Sequence, residues 1–129
     1  MRNSAHVLVA EDNVFNQLII ENTLSKMGIT CDLAKNGKEV LELLEEKDYK
    51  LILMDIQMPV LGGVETTGRI RKSNKTYNQV PIIALTANAI KGDMEYFLSS
   101  GMNGYVSKPI DDSKLFTELN RYLDFDEAS

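Results

Sequence analysis

The chain has 129 residues, which suits one compact domain and leaves little room for a second. Hydrophobic residues make up 43% and charged residues 26%, as in soluble folded proteins, so extended disorder is not expected. The net charge of -5 makes the surface acidic, and an acidic surface repels phosphate backbones, so we expect no direct nucleic-acid binding.

The chain holds one cysteine, Cys31, and one histidine, His6, too few for an internal disulfide or a zinc site of the usual ligand number. A reducing, cytoplasmic setting is therefore the default expectation. No apolar run is long enough to cross a bilayer, so no contact with a membrane is expected. We expect an extension over residues 1–5, one domain over 6–123 and a small acidic tail over 124–129.

Three short apolar runs end in polar residues, and each run is continuous, as in parallel strands that are covered on both faces. Two weaker strands are predicted as well. In chain order, the predicted strands are His6–Ala10, Thr30–Ala34, Leu51–Met54, Pro81–Leu85 and Tyr105–Ser107.

Segments with helical spacing of apolar residues separate the strands. The first helix has Asn13 as its N-cap and Gly28 after its last turn, and its apolar positions are Phe15, Leu18, Ile19, Leu24 and Met27. The other four helices are marked by Val40, Leu41 and Leu44; by 64–71; by Met94, Phe97 and Leu98; and by Leu115, Phe116, Leu119, Tyr122 and Leu123, with Asp111 or Asp112 as the last N-cap. Five strands alternating with five helices predict an α/β fold with a doubly wound parallel sheet.

Carboxylates follow two of these strands, at the edge of the sheet where ligands bind in such folds. Glu11 and Asp12 follow the first strand and Asp55 ends the third, so we expect the three in one crevice. Carboxylates this close repel one another unless a cation joins them, and hard oxygen ligands suit Mg²⁺. Taken alone, Glu11 and Asp12 fit the start of a helix equally well. The position of Asp55 at the end of a different strand favours a metal site over a helix start.

Two further polar residues follow the last two strands. Lys108 can reach over the carboxylates and pair with an added phosphoryl group, although a surface position is the commoner fate of a lysine. Thr86 can offer its hydroxyl to a phosphoryl oxygen, and it fits a helix N-cap equally well. An aspartate beside a metal, a lysine and a hydroxyl indicates a site for an aspartyl phosphate, because carboxylates act as nucleophiles toward phosphoryl donors.

At these positions the sequence resembles the receiver domains of two-component response regulators. The likeness covers roughly residues 6–123 and rests on Glu11-Asp12-Asn13, Met54-Asp55-Ile56-Gln57-Met58-Pro59, Leu85-Thr86-Ala87, Tyr105 and Lys108-Pro109. A finer likeness, to receivers attached to hybrid sensor histidine kinases, lies in residues 12–17, 85–89 and 101–105. One departure is Gly62-Gly63, since the family more often has an acidic or amide residue before the second glycine.

The resemblance implies a flavodoxin-like receiver fold with strand order 2-1-3-4-5. Asp55 would be the phosphoacceptor and would take its phosphoryl group from a phosphohistidine of a histidine kinase or histidine phosphotransfer domain. Mg²⁺ or Mn²⁺ would be bound by Glu11, Asp12, Asp55 and the backbone carbonyl of Gln57. Thr86, Ala87 and Lys108 would bind the phosphoryl group. Thr86 and Tyr105 would form a switch that changes the surface of the fourth helix, fifth strand and fifth helix.

The same resemblance implies a domain that is not an enzyme by itself, beyond catalysing its own phosphorylation and dephosphorylation. It would be a monomer or a weak, phosphorylation-dependent dimer, and its parent chain could be a hybrid histidine kinase. A phosphodonor would dock on the first helix and on the loop after the fifth strand, with Val14, Phe15, Pro109 and Ile110 as candidate contacts. The alternative, that Val14, Phe15 and Ile110 pack internally, stays open at this point.

Two other classes of protein remain as alternatives. A phosphohydrolase of the haloacid-dehalogenase type also uses an aspartate after a strand, but it requires a second aspartate where this chain has Gln57. A flavin-binding electron carrier of the same fold needs a phosphate-cradling loop after the first strand, where Glu11 and Asp12 would repel phosphate. Turnover of a generic phosphatase substrate would favour the first alternative, and a yellow purified protein the second.

Overall fold

A computed structural model describes residues 6–87 and 91–123, with the backbone alone at 91–93, and it confirms the alternation of five strands with five helices. The strands are β1 His6–Ala10, β2 Thr30–Ala34, β3 Leu51–Asp55, β4 Ile82–Thr86 and β5 Gly104–Ser107. The helices are α1 Val14–Lys26, α2 Gly37–Glu46, α3 Gly63–Lys72, α4 Lys91–Ser99 and α5 Asp112–Tyr122. The predicted extension over 1–5 and tail over 124–129 lie outside the described residues.

The strands form one parallel sheet in the order β2-β1-β3-β4-β5, as the resemblance implied. The register places Ala10 beside Met54 and Asp55 beside Leu85, so the carboxyl ends of the central strands lie level. All five residues of β3 and of β4 are buried, which explains why their sequences are continuously apolar up to the last residue.

Side chains alternate between two hydrophobic cores, one on each face of the sheet. Leu8, Ile52 and Ile82 point into the core that the α2, α3 and α4 side of the sheet covers. Their neighbours along the strands, Val7, Leu53 and Ile83, point into the core beneath α1 and α5. Among the described residues, no helix is long and apolar enough to span a membrane.

Side chains cap α1, α2 and α5, the α2 cap being Asn36, whose Oδ1 accepts a hydrogen bond from the Glu39 N–H at 2.9 Å. Asn13 caps α1 as predicted, because its Oδ1 accepts a hydrogen bond from the Asn16 amide at 2.9 Å. Asp111, rather than Asp112, caps α5. The carboxylate of Asp112 instead accepts hydrogen bonds from Thr23 and from Lys26, and thereby ties α5 to α1.

The apolar residues that mark α1 are only partly buried. Phe15, Leu18 and Ile19 are 69%, 57% and 37% exposed, whereas the helix buries Gln17, Ile20, Thr23 and Leu24. Apolar residues occur on two neighbouring faces of this helix, so helical spacing alone did not decide which face would be buried. In the same way, Leu98 of α4 and Phe116 of α5 are exposed rather than buried.

Candidate functional site

The loops that follow β1, β3, β4 and β5 enclose a cleft of about 710 Å³. Seven of the residues that the sequence singled out line this cleft: Glu11, Asp12, Asp55, Gln57, Thr86, Ala87 and Lys108. The rest of the lining is formed by Asn13, Asn16, Ile56, Met58 and Pro59. The topology therefore brings together residues that lie up to 97 positions apart in the chain, since Glu11 and Lys108 face the same cavity. Tyr105, Val14, Phe15, Pro109 and Ile110 are not part of its lining.

The three carboxylates differ in burial. Glu11 and Asp55 are 1% and 5% exposed, and Asp12 is exposed at the rim. One oxygen from each of the three lies within 4.8 Å of the others, as the sequence predicted. Backbone amides orient the two buried acids: the Asn13 N–H donates to Glu11 Oε2 at 3.1 Å, and the Gln57 N–H donates to Asp55 Oδ1 at 3.1 Å.

Lys108 lies between the two buried carboxylates. Its Nζ donates a hydrogen bond to Asp55 Oδ2 at 2.9 Å and forms an ion pair with Glu11 Oε1 at the same distance. Burial disfavours the charge on Lys108, but the contacts with Asp55 and Glu11 outweigh it and raise the pKa of its ammonium group. The lysine is therefore charged at neutral pH, and three carboxylates against one ammonium leave the cluster with two negative charges.

The donors of this cluster fit a hard divalent cation. Glu11 Oε1 is buried and lies 2.9 Å from Lys108 Nζ, and a carboxylate oxygen in such an ion pair keeps a further lone pair for a cation. Carboxylate oxygens from Glu11, Asp12 and Asp55 are the ligand type that Mg²⁺ and Mn²⁺ prefer, and the open cleft leaves room for water. The excess of carboxylates over ammonium groups in this cluster and the type of its ligand atoms both indicate a metal site.

Thr86 ends β4 and is buried at the floor of the cleft, where its neighbour in β5 is Ser107. The backbone carbonyl of Thr86 accepts a hydrogen bond from the Lys108 N–H at 2.7 Å, which links the ends of the two strands directly. Two residues before Ser107, Tyr105 is half-buried against the core beside α4 and lines a separate groove of about 470 Å³ with residues of α5.

The close packing of the turn after β3 explains why residue 63 is a glycine. A Cβ on Gly63 would overlap the carbonyl oxygen of Asp55, so the close approach of α3 to the end of β3 requires glycine there. Gly62 caps α3 without a side-chain hydrogen bond, in keeping with the departure from the family pattern. Before it, Val60 has a φ of 69° and is 76% exposed, a strained conformation for a β-branched residue.

The candidate docking residues lie beside the cleft rather than in it. Val14 and Phe15 are 62% and 69% exposed on the first turn of α1, so the alternative that they pack internally is wrong. Pro109 is exposed and follows a cis peptide bond from Lys108. Ile110 is partly buried against the core beneath α1 and α5, which leaves only part of its side chain accessible.

Sequence reasoning missed one buried polar residue beside the cluster. Gln17 is 7% exposed, and its Nε2 donates a hydrogen bond to the carbonyl oxygen of Glu11 at 2.6 Å. The signal was present, because Gln17 belongs to the stretch 12–17 that carried the finer family likeness. The spacing of apolar residues predicts apolar side chains on the buried face of a helix, so it did not predict that the amide of Gln17 would be buried there.

Comparison with known proteins assigns the class. The family model described as response regulator receiver domain matches residues 7–120. The chain therefore belongs to that family and is a receiver domain of two-component phosphorelay signalling.

Particular relatives refine this class. The chain is 44% identical over 133 residues to hybrid signal transduction histidine kinase I of Dictyostelium discoideum, a match that covers 95% of this chain and 8% of that protein. It also resembles the receiver domain of the sensor histidine kinase PA1611 of Pseudomonas aeruginosa, solved with a magnesium ion in its active site cleft. The two are 40% identical with a TM-score of 0.84, covering 93% of this chain and 98% of that one. The chain thus spans less than a tenth of the first curated kinases that it matches.

A third similar structure is the receiver domain of the Saccharomyces cerevisiae response regulator Ssk1, crystallised with the histidine phosphotransfer protein Ypd1. Its identity to this chain is 35% and its TM-score 0.84, with 95% of this chain and 90% of that chain covered.

Proposed function

We propose that Asp55 accepts a phosphoryl group from a phosphohistidine of a histidine kinase or a histidine phosphotransfer protein. The observation that carries the proposal is the position of Asp55: a buried carboxylate at the end of β3 that faces the cleft, with Oδ2 on Lys108 and Oδ1 on a backbone amide. The magnesium-containing relative and the relative crystallised with a phosphotransfer protein support it.

In the transfer, one oxygen of Asp55 forms a bond to phosphorus while the bond between phosphorus and the donor imidazole nitrogen breaks, and that nitrogen keeps the electron pair. When bound by Glu11, Asp12, Asp55 and the Gln57 carbonyl, Mg²⁺ would offset the negative charge that gathers on acceptor and phosphoryl group. Lys108 is placed to move its ammonium group from the carboxylates to a phosphoryl oxygen. Thr86 and Ala87 line the same cleft, and in this proposal the Thr86 hydroxyl and the Ala87 N–H bind the other oxygens.

This proposal describes a domain that turns over no external substrate apart from its donor. Gln57 stands where a phosphohydrolase of the haloacid-dehalogenase type needs an acid, and an amide cannot transfer that proton. As part of the proposal, the domain is cytoplasmic, is a monomer or a weak phosphorylation-dependent dimer, and belongs to a larger histidine kinase.

The test is labelling with acetyl phosphate and Mg²⁺, followed by mass measurement of the intact protein. We expect a gain of one phosphoryl group in the parent protein and none in Asp55→Asn. Asp32→Asn, which also changes a strand carboxylate but far from the cleft, is the matched control and should label normally. Undiminished labelling of Asp55→Asn, or labelling that survives a metal chelator, would contradict the assignment.

For docking, we propose that the donor covers the exposed apolar residues beside the cleft, namely Val14, Phe15, Pro109 and the accessible part of Ile110. Their exposure next to an acidic cavity supports this, because apolar side chains beside a reactive group can exclude water from it. Phe15→Asp should slow transfer from a phosphorylated histidine protein about tenfold or more, yet leave labelling by acetyl phosphate unchanged. Leu98→Asp, which changes an exposed apolar residue of α4 outside the proposed docking set, is the control and should leave both reactions unchanged. If Phe15→Asp slows both donors in parallel, the docking proposal fails.

For output, we propose that Thr86 moves toward the phosphoryl group and that Tyr105 follows into the space it leaves. The adjacency of the ends of β4 and β5 supports this coupling, as does the half-buried state of Tyr105. Phosphorylation would then bias a two-state surface of α4, β5 and α5, where Tyr96 and Phe116 are exposed. Nuclear magnetic resonance spectra of a beryllofluoride adduct should shift at the cleft and from Tyr105 onward. Shifts confined to the cleft would disprove the switch.

A further inference from the structure

Two of the four buried residues on α1 are polar, although the exposed face of the same helix carries Val14, Phe15 and Leu18. A buried side-chain amide or hydroxyl persists only where it finds a partner. Thr23 donates to Asp112 of α5 at 2.8 Å, which accounts for one of the two as a tie between helices. Gln17, the other, points toward the end of β1.

Gln17 contacts the chain at the start of the acidic pair. Its Nε2 donates to the carbonyl oxygen of Glu11 at 2.6 Å, while the Glu11 N–H donates to Ala34 of β2 at 2.9 Å. The Asn13 N–H holds Glu11 Oε2 at 3.1 Å. Glu11 is thereby fixed at its N–H, at its carbonyl and at one carboxylate oxygen, and its Oε1 is left to face Lys108 and the cleft.

The hydrogen bond from Gln17 acts on two acids at once. The carbonyl of Glu11 belongs to the planar peptide unit that joins Glu11 to Asp12, so fixing this oxygen fixes the orientation of the whole unit. Rotation of that plane would move the Glu11 side chain and the Asp12 side chain in different directions. Because a cation bound here takes one oxygen from each of these acids, and those oxygens lie within 4.8 Å of one another, the geometry of the site depends on this plane.

We infer that Gln17 is a positioning residue of the metal site: its amide holds the Glu11–Asp12 peptide so that both carboxylates converge with Asp55. The inference rests on the proposed function and deepens it, since it assigns a determinant of Mg²⁺ affinity to a residue that has no atom in the metal site. Residues that orient metal ligands in this indirect way typically change metal affinity 10- to 100-fold when replaced.

The experiment compares Gln17→Met, which keeps length and burial but removes the donor, with Thr23→Val. Thr23→Val is a matched control, because it removes a buried donor from the same face of the same helix. Its partner is Asp112 of α5, so the change leaves Glu11 and Asp12 in place. The readout is the rate of labelling by acetyl phosphate as a function of Mg²⁺ concentration. We expect Gln17→Met to raise the half-saturating Mg²⁺ concentration about tenfold, with less than about a threefold change in rate at saturation. Thr23→Val should lower the melting temperature and leave half-saturation unchanged.

A second measurement uses the parent protein and does not depend on how the variants fold. A through-hydrogen-bond coupling between Gln17 Nε2 and the Glu11 carbonyl carbon should be observed by nuclear magnetic resonance, and it should persist when Mg²⁺ is added to saturation. Disappearance of the coupling on Mg²⁺ binding would overturn the inference, because positioning requires the bond in the loaded state.

The remaining outcomes separate the inference from the proposed function. A parent protein that labels normally, together with unchanged half-saturation in Gln17→Met or an equal increase in Thr23→Val, overturns the role of Gln17 alone. A parent protein whose labelling does not depend on Mg²⁺ overturns the proposed function and the inference with it.

Discussion

The two ends of the sheet each carry a cluster of charged side chains, and the clusters differ in burial and in charge balance. At the amino end, the Asp32 carboxylate accepts hydrogen bonds from Tyr49 at 2.6 Å, from His6 at 3.0 Å and from Lys47 at 3.0 Å. At the carboxyl end, Lys108 pairs with Glu11 and Asp55, and the carboxylate of Asp12 lies beside these two acids. In the first cluster one carboxylate accepts three hydrogen bonds, whereas in the second the carboxylates outnumber the ammonium group that pairs with them.

This difference separates a structural cluster from a reactive one. The hydrogen bond from Tyr49 is the main reason that the pKa of Asp32 is lowered to about 2, and His6 and Lys47 act in the same direction against the effect of burial. Asp32 therefore has little capacity left for another ligand. The carboxyl-end cluster is under-compensated and opens into a cleft, so it can gain free energy from a bound cation. Four predictions test this comparison.

The largest effect is expected from Lys108→Met in the absence of Mg²⁺. Removing the cation leaves Glu11 and Asp55 buried without their partner, and we expect the free energy of unfolding to fall by about 3 kcal/mol. Urea denaturation at neutral pH measures it. Lys47→Met removes a cation from the amino-end cluster and should change stability by less than about 1 kcal/mol, because that pair is exposed. Equal losses in the two variants would contradict the comparison.

Addition of Mg²⁺ should raise the melting temperature of the parent protein. A concentration ten times the dissociation constant stabilises the folded state by about 1.4 kcal/mol through mass action. For a domain of this size, that corresponds to an increase of about 5 °C. This increase should be absent in Asp55→Asn and as large as in the parent protein in Asp32→Asn. Thermal denaturation with and without Mg²⁺ measures the change in melting temperature. A similar increase in Asp55→Asn would place the ion elsewhere.

Replacing Asp32 with Asn should lower stability at neutral pH by about 1 kcal/mol, because the ion pair with Lys47 and part of the hydrogen bonding are lost at a partly exposed site. The folded-state pKa lies below its usual value, so the stabilising contribution is complete above about pH 4 and disappears as the pH falls toward about 2. The stability curves of parent and variant should therefore converge between about pH 4 and pH 2. Curves that stay parallel over this range would show that Asp32 is not the titrating group.

The smallest effect is expected from Asp12→Asn. This change relieves repulsion at the exposed rim of the acidic cluster, so the metal-free protein should gain roughly 0.5 kcal/mol in stability. The same variant should show a smaller increase in melting temperature with Mg²⁺, because one ligand has lost its charge. An Asp12→Asn protein that is less stable than its parent and responds fully to Mg²⁺ would show that Asp12 does not belong to the cluster.

The fold was predictable because the sequence signals were local and strong. Continuous apolar runs such as 51–54 identify buried strands, Asn13 and Gly28 delimit α1, and the polar residues after each strand mark the edge where ligands bind. The acidic cluster followed from the topology, since parallel strands bring their carboxyl ends to one side. Glu11, Asp12 and Asp55 were accordingly expected together before the structure placed their oxygens within 4.8 Å.

The orientation of α1 was not predictable in the same way. Phe15, Leu18 and Ile19 have the spacing of a buried face, yet α1 buries Gln17 and Thr23 because each has a polar partner on another segment. Spacing reports which residues share a face of a helix, and it carries no information about partners that are distant in sequence. Lys108 shows the same limit: the sequence suggested that it reaches over the carboxylates, and only the structure shows that it pairs with both Glu11 and Asp55.

By itself, then, the sequence determined the alternation of strands and helices and the set of polar residues at the strand ends. Hydrophobic periodicity and capping act over a few residues, so they can be read without knowing what packs against them. Only the tertiary structure decided which face of α1 is buried, that Gln17 holds the Glu11 carbonyl, and that Lys108 bridges the two buried carboxylates. Those contacts join segments far apart in the chain, and their free energy depends on burial that exists only once the sheet has assembled.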